Sequence, residues 1–229
     1  MRTSRFLSTV LVTILALTGG LPASAGDGGP GAGPSSASPA GQLETIVLGT
    51  GCFWGAEKFM GQLPGVVDIE VGYANGDDSV PGNYQAVLAH ERALREGRTT
   101  ARNHAEVAKV TFDPDQVSLA GVLARFWEIH DPTQVDRQGP DVGTNYRSVI
   151  FTYNDAQQRA ARRSRAVYEQ ALAEAGVGTI VTEIAPLRVY HRAEEYHQDY
   201  RKKHPVGECG LRPTGVPYPV PKIGPDGEK

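Results

Sequence analysis

The spacing of apolar and polar positions changes several times along this chain, and each pattern predicts an element. Residues 45–48 are a run of apolar and β-branched side chains that reads as a buried strand, closed by Gly49-Thr50-Gly51. From Trp54 to Gln62 apolar residues recur at helical spacing. Residues 66–73 alternate, with Val67, Ile69, Val71 and Tyr73 on one face and Asp68, Glu70 and Gly72 on the other, as a half-buried strand requires. Asn75-Gly76-Asp77-Asp78 reads as a turn, and residues 86–96 as a helix of mixed charge making a surface excursion. Residues 104–112 form the next strand: Ala105, Val107, Lys109 and Thr111 point one way, His104, Glu106, Ala108, Val110 and Phe112 the other.

Further along, Leu119, Val122, Leu123 and Phe126 predict a helix that starts near a Ser118 cap and stops before Asp131-Pro132. Residues 132–145 form a loop rich in Gly, Asp and Gln, too long for a plain connector and so a candidate site loop. Residues 148–153 read as a strand. Asn154 caps a helix reaching about Ala175, with Ala160, Ser164, Val167, Tyr168, Ala171 and Leu172 as its inner stripe. A last strand over 179–184 and a short helix over 194–203 follow. This order predicts an α+β two-layer sandwich, helices packed on a mixed sheet.

The ends of the chain read differently. Arg2 and Arg5, an apolar stretch over 6–17 and the small residues Pro22-Ala-Ser-Ala25 have the form of a signal peptide over 1–25, which places the chain in a periplasm or outside the cell. The apolar stretch is short for a membrane span. Residues 26–41 are Gly, Pro, Ala and Ser and read as a flexible tether; 42–211 suit one domain with a full core, and 212–229 a proline-rich tail. The formal charge is −3. Loss of two arginines with the leader takes that −3 to −5. No basic tract is interleaved with aromatics, so nucleic-acid binding has no support.

Chemistry concentrates at Gly51-Cys52-Phe53-Trp54-Gly55-Ala56-Glu57. Cys52 sits where a strand turns into a helix, where unpaired N–H groups and the helix dipole favour a thiolate. The flanking glycines leave room at the sulfur, and Phe53 and Trp54 offer an apolar wall. Glu106 shares a strand face with apolar residues: held there it loses hydration and carries a proton near neutral pH, whereas at a fraying strand end it would be solvated. The chain has two cysteines, Cys52 and Cys209, and no Cys-x-x-Cys, which excludes zinc ribbons and a thioredoxin-like redox pair. His191, Glu195 and His197 lack metal-site spacing, so no metal is expected. His197 instead packs or positions its own helix. His104 beside Glu106 leaves a cysteine hydrolase as an alternative, and a non-catalytic module with one structural disulfide as another.

The same heptapeptide resembles the active-site signature of the peptide methionine (S)-sulfoxide reductases, the MsrA family. His104-Ala-Glu106-Val107, His130-Asp-Pro-Thr-Gln134, Arg137-Gln-Gly139, Asp141-Val-Gly-Thr-Asn-Tyr146-Arg-Ser148 and Ala193-Glu-Glu-Tyr-His-Gln-Asp-Tyr200 are similar to further family blocks, in family order. The resemblance implies a ferredoxin-like plait and reduction of methionine sulfoxide. In that reading Cys52 is nucleophile, Glu106 acid, Phe53 and Trp54 the methyl pocket, and Tyr84 and Tyr146 hydroxyl donors to the sulfoxide oxygen. Asp141 orients the site and Cys209 resolves a sulfenic acid. Between Tyr84 and Glu106 this chain is longer than the family pattern by about three helical turns. The resemblance further implies no cofactor beyond an external thiol donor such as thioredoxin, with oxidised proteins or free methionine sulfoxide as substrates. The chain is read as a monomer.

Overall fold

The computed structural model describes residues 41–205 and 210–219; the expected leader, the tether before Gly41, and Cys209 lie outside the described residues. β1 (Glu44–Thr50) leads into α1 (Phe53–Met60), β2 (Val66–Ala74), α2 (Tyr84–Arg95), β3 (Ala105–Phe112) and α3 (Leu119–Glu128). A two-rung hairpin, β4 (Arg137–Gln138) and β5 (Asp141–Val142), and a 3-10 turn (Thr144–Tyr146) precede β6 (Ser148–Thr152). Then come α4 (Asp155–Glu174), β7 (Glu183–Pro186), β8 (Tyr190–Arg192), a 3-10 turn (Glu195–His197) and α5 (Tyr200–Lys203).

The main sheet runs β7-β6-β1-β3-β2-β8, antiparallel except for the β6–β7 pair. Its four middle strands with α1 and α3 are the expected plait, and the fold is the expected α+β sandwich on a mixed sheet. Alternation explains the layering. Ile46 and Leu48 of β1, Ala108, Val110 and Phe112 of β3, and Ile150 of β6 face α1, α3 and α4; Val47, Val107, Val149 and Phe151 fill the opposite face. Each fully buried Phe or Leu here is worth roughly 1.5–3 kcal/mol, so β1 and β3, buried on both faces, are the most firmly held part of the molecule. The expected caps are present: Ser118 Oγ accepts from Gly121 N at 3.2 Å and Asn154 Oδ1 from Gln157 N at 2.9 Å.

Five expectations are corrected. Val67 does not join the inner face of β2: the register slips between Val66 and Asp68, and this bulge leaves Val67 50 % exposed. On α4, Val167 is 42 % exposed, and the buried stripe is Gln157, Ala161, Ser164, Tyr168 and Leu172. The strand expected over 179–184 starts only at Glu183, because Val181 N–H is bound to Pro132 O at 2.9 Å in the loop after α3. The helix expected over 194–203 is broken at Asp199, whose φ of 52° is left-handed. α2 is no excursion, since Val87 and Glu91 are buried. The edge strand β8 has too few residues to show a period.

Candidate active site

β1 leaves the sheet through Gly51, whose φ of +106° favours glycine and whose missing Cβ makes way for the Gln138 side chain. At this position the glycine shapes the turn and admits Gln138, a different task from leaving room at the sulfur. The turn sets Cys52 as the residue capping α1, with its carbonyl accepting from Gly55 N at 3.0 Å. The first N–H of the helix, that of Phe53, has no partner within the helix; Glu106 Oε2 accepts it at 3.2 Å. The carboxyl from the neighbouring central strand therefore lies at the helix start that carries the cysteine.

Glu106 is 2 % exposed. Burial, which penalises the charged form, pushes its carboxyl up to about 8. The Phe53 N–H and the Asn145 side-chain amide, which donates to Oε1 at 3.2 Å, pull the other way, and the charge of Asp141 adds to the rise. The acid is therefore protonated over much of the neutral range, and the solvated-end alternative does not hold.

The structure brings Tyr84, Tyr146 and Asp141 to this centre. Tyr84 opens α2, its N–H bound to Glu194 Oε1 at 2.8 Å. Burial and then the charges of Glu106, Cys52 and Glu194 raise its phenol. Tyr146 ends the 3-10 turn; burial and then Glu106 raise it, Cys52 and Asp141 adding to the effect. Both phenols thus stay protonated and able to donate. Asp141 on β5 is itself raised by burial, against the pull of Arg212. A Cβ on Gly210 would overlap its Oδ2, so Asp141 abuts the residue that follows Cys209.

The aromatic wall is built unequally. Trp54 stacks flat on Tyr200 (centroids 3.6 Å, 5°) and donates its indole N–H to His197 Nδ1 at 3.1 Å. Phe53 is 2 % exposed and packed on Tyr73 and His197, so it forms the floor while Trp54 and Tyr84 are only partly covered. His197 positions the tryptophan as well as its own turn. Sequence reasoning missed Tyr73, Asn145, Glu194 and Tyr200 as parts of the site. Glu194 links Tyr73 OH (3.1 Å) to the Tyr84 backbone. Three of these four lie inside the motif blocks already noted, at spacings of three residues in Glu194, His197 and Tyr200, which was the available signal.

His104 is not a partner for Cys52. Its Nδ1 accepts from Gly76 N at 3.0 Å and its Nε2 bonds Val80 O at 2.8 Å, which pins the loop after β2. Among the described residues no three His, Cys, Asp or Glu are placed to hold a metal ion, and no helix is long and apolar enough to cross a membrane.

A helix-capping cysteine backed by a buried, proton-bearing carboxyl and two phenols defines a thiol enzyme on a plait scaffold. The family model described as peptide methionine sulfoxide reductase matches residues 44–216. The chain is 49 % identical over 178 residues to peptide methionine sulfoxide reductase MsrA 1 of Synechocystis sp., covering 78 % of this chain and 75 % of that one. It is 46 % identical over 179 residues to MsrA of Brucella ovis, covering 78 % and 77 %. Among solved structures, methionine sulfoxide reductase A of Corynebacterium diphtheriae matches with a TM-score of 0.64 and 40 % identity, over 80 % of this chain and 85 % of that one. Reduced Mxr1 of Saccharomyces cerevisiae gives 0.62 and 32 %, over 75 % and 92 %. The chain belongs to the peptide methionine sulfoxide reductases of the MsrA type, oxidoreductases acting on methionine sulfoxide.

Proposed function

We propose that this enzyme reduces the S epimer of methionine sulfoxide, protein-bound and free, in a thiol cycle without metal or organic cofactor. Each sulfoxide epimer has its own enzyme type, and the S epimer is the one the MsrA resemblance implies. The Cys52 thiolate attacks the sulfoxide sulfur while Glu106 gives its proton to the oxygen, with Tyr84 and Tyr146 donating hydrogen bonds to that oxygen. Attack forms a bond between the Cys52 sulfur and the substrate sulfur. The protonated oxygen then passes to Cys52 as that S–S bond and the substrate S–O bond break, so methionine leaves and Cys52 holds the oxygen as a sulfenic acid. Asp141 orients the site beside Gly210, and Trp54 with Phe53 holds the S-methyl group. Cys209 then condenses with the sulfenic acid, releasing water and forming a Cys52–Cys209 disulfide. An exported or membrane-linked thioredoxin-like protein reduces it by exchange. The expected leader places this repair of oxidised exported proteins outside the cytoplasm.

The observation that carries this reading is the buried Glu106 carboxyl bonded to the N–H next to Cys52. Cys209→Ser tests the cycle. It releases one methionine per enzyme in a single turnover, then stalls as a sulfenic acid with thioredoxin-type donors, while dithiothreitol restores turnover. Undiminished thioredoxin-supported turnover in that variant removes Cys209 from the mechanism. Turnover of the R epimer at the rate of the S epimer removes the stereochemical assignment.

A further inference from the structure

α2 reaches the site through an acid that the reaction does not use. Glu91 is buried on α2, and its Oε2 accepts from both the N–H (3.0 Å) and the hydroxyl (2.5 Å) of Thr144. Its other oxygen accepts from Arg95 Nε at 3.0 Å, one turn further along, and the Arg95 guanidinium also donates to Val142 O. Between these anchors lies Gly143, where an added Cβ would come within 3.2 Å of the Glu91 carboxyl and 2.6 Å of Asn145 Oδ1. The backbone is thus wedged against Glu91. Asn145, which follows Thr144, is fully buried and donates to Glu106; the one after is Tyr146. A continuous chain of bonds therefore runs from Glu91 through Thr144 and Asn145 to Glu106 and the N–H beside Cys52.

We infer that Glu91 is a positioning residue of the reaction: by clamping Thr144 it holds the Asn145 amide against Glu106 and Tyr146 beside Cys52. The charge on Glu91 suits this task. Burial opposes it, but the hydrogen bonds from Thr144 and Arg95 hold its carboxyl below the ordinary range, so the clamp stays ionised and strong at neutral pH. Arg147 donates to Thr144 O at 2.8 Å, so the turn keeps one brace when Glu91 is removed. What is lost is the exact seat of Asn145.

The inference rests on the proton-donor role proposed for Glu106, and the experiment separates the two. The carboxyl carbon of Glu106 is followed by NMR titration in labelled enzyme, with its signal assigned by its absence from Glu106→Gln. Around that carboxyl stand Cys52 at the start of α1, Tyr73 of β2, Tyr84 of α2, Asp141 of β5 and Tyr146 of the 3-10 turn, all unchanged in the variants. In Glu91→Ala the Asn145 amide no longer favours the charged form, so the Glu106 midpoint moves above its value of about 8. Misplacement of this kind lowers kcat roughly ten- to a hundredfold, with KM changing less. Glu91→Gln keeps an oxygen for Thr144 and recovers most of the loss. Thr144→Val, which leaves α2 intact, gives a smaller shift in the same direction. An unmoved Glu106 midpoint in both Glu91→Ala and Thr144→Val overturns the inference, whatever happens to thermal stability or rate. A midpoint that moves while kcat stays level overturns it too, because Glu91 would then tune Glu106 without positioning the reaction. A Glu106→Gln variant at full rate instead removes the acid role on which the inference rests.

Discussion

Glu57 and Glu106 are both buried acids that meet α1, both raised by loss of hydration, and they do opposite work. Glu57 lies on the helix and accepts from Asp199 N at 2.7 Å and Tyr200 N at 3.1 Å, holding the start of α5. Glu106 approaches from β3 and is met by two donors, each at 3.2 Å, with Asp141 pressing against its charge. Glu57 takes both its donors from one backbone turn and so braces that turn, while Glu106 has one backbone and one side-chain donor and lies beside Cys52, which suits the proton-donor role proposed for it. Burial alone does not separate a structural carboxyl from a reactive one. What each carboxyl lies against does.

The largest effect sets the scale for that contrast. Cys52→Ser releases no methionine even in a single turnover, because an alcohol near neutral pH has almost no anionic form. Glu106→Gln comes next: the amide fills the same space but has no proton to give, so kcat falls roughly 10²–10⁴-fold with little change in KM. Stopped-flow and steady-state rates measure both, and a Gln variant near full rate would move the acid role elsewhere, to Tyr146 first. Glu57→Ala breaks the comparison from its other side. It leaves two backbone donors unmet and costs roughly 1–3 kcal/mol in denaturant unfolding. Because Tyr200 carries the Trp54 stack, KM rises while kcat holds.

The smallest effect is in pH. In its proposed role Glu106 must be protonated to act, so kcat/KM is expected to fall as pH rises through about 8, with this alkaline limb missing in Glu106→Gln. Stability has the same sign. The folded state holds a proton that the unfolded chain releases near 4.5, so the Glu106 contribution is full below that value and is lost as pH rises toward about 8. Unfolding curves of the wild type and Glu106→Gln therefore converge at acid pH and separate across that window. Parallel curves would show that Glu106 is not buried as an acid.

Period-based reading worked where an element was long and continuous. The alternation of β3 put Glu106 on the apolar face with Ala108, Val110 and Phe112, and the change from strand to helix put Cys52 at the head of α1. It failed at Val67, where a bulge adds one residue and reverses the faces before it. It failed at Asp199, where an acid of Glu57, distant in sequence, holds a left-handed residue that local pattern would keep helical. In the site, Cys52 and Glu106, the proposed nucleophile and acid, stand out through local context. Asn145 and Glu91 do not: each matters through a partner dozens of positions away, and a charged residue on a mixed helix face looks solvated until its partner is seen.

The placement of Cys52 just past the end of β1, and of Glu106 near the start of β3, has a consequence for how this enzyme wears out. These strands are paired to each other from Glu44–Phe112 to Leu48–Ala108, in the part of the sheet buried on both faces. Hydrogen exchange there should require global opening, not local fraying. Heating or denaturant that loosens the β4–β5 hairpin or α5 leaves Cys52 and Glu106 in register while it frees Asp141 and the Tyr200 stack on Trp54. On the proposed mechanism a partly damaged population still makes sulfenic acid, at a rate lowered by the lost positioning, after it has lost the means to turn over.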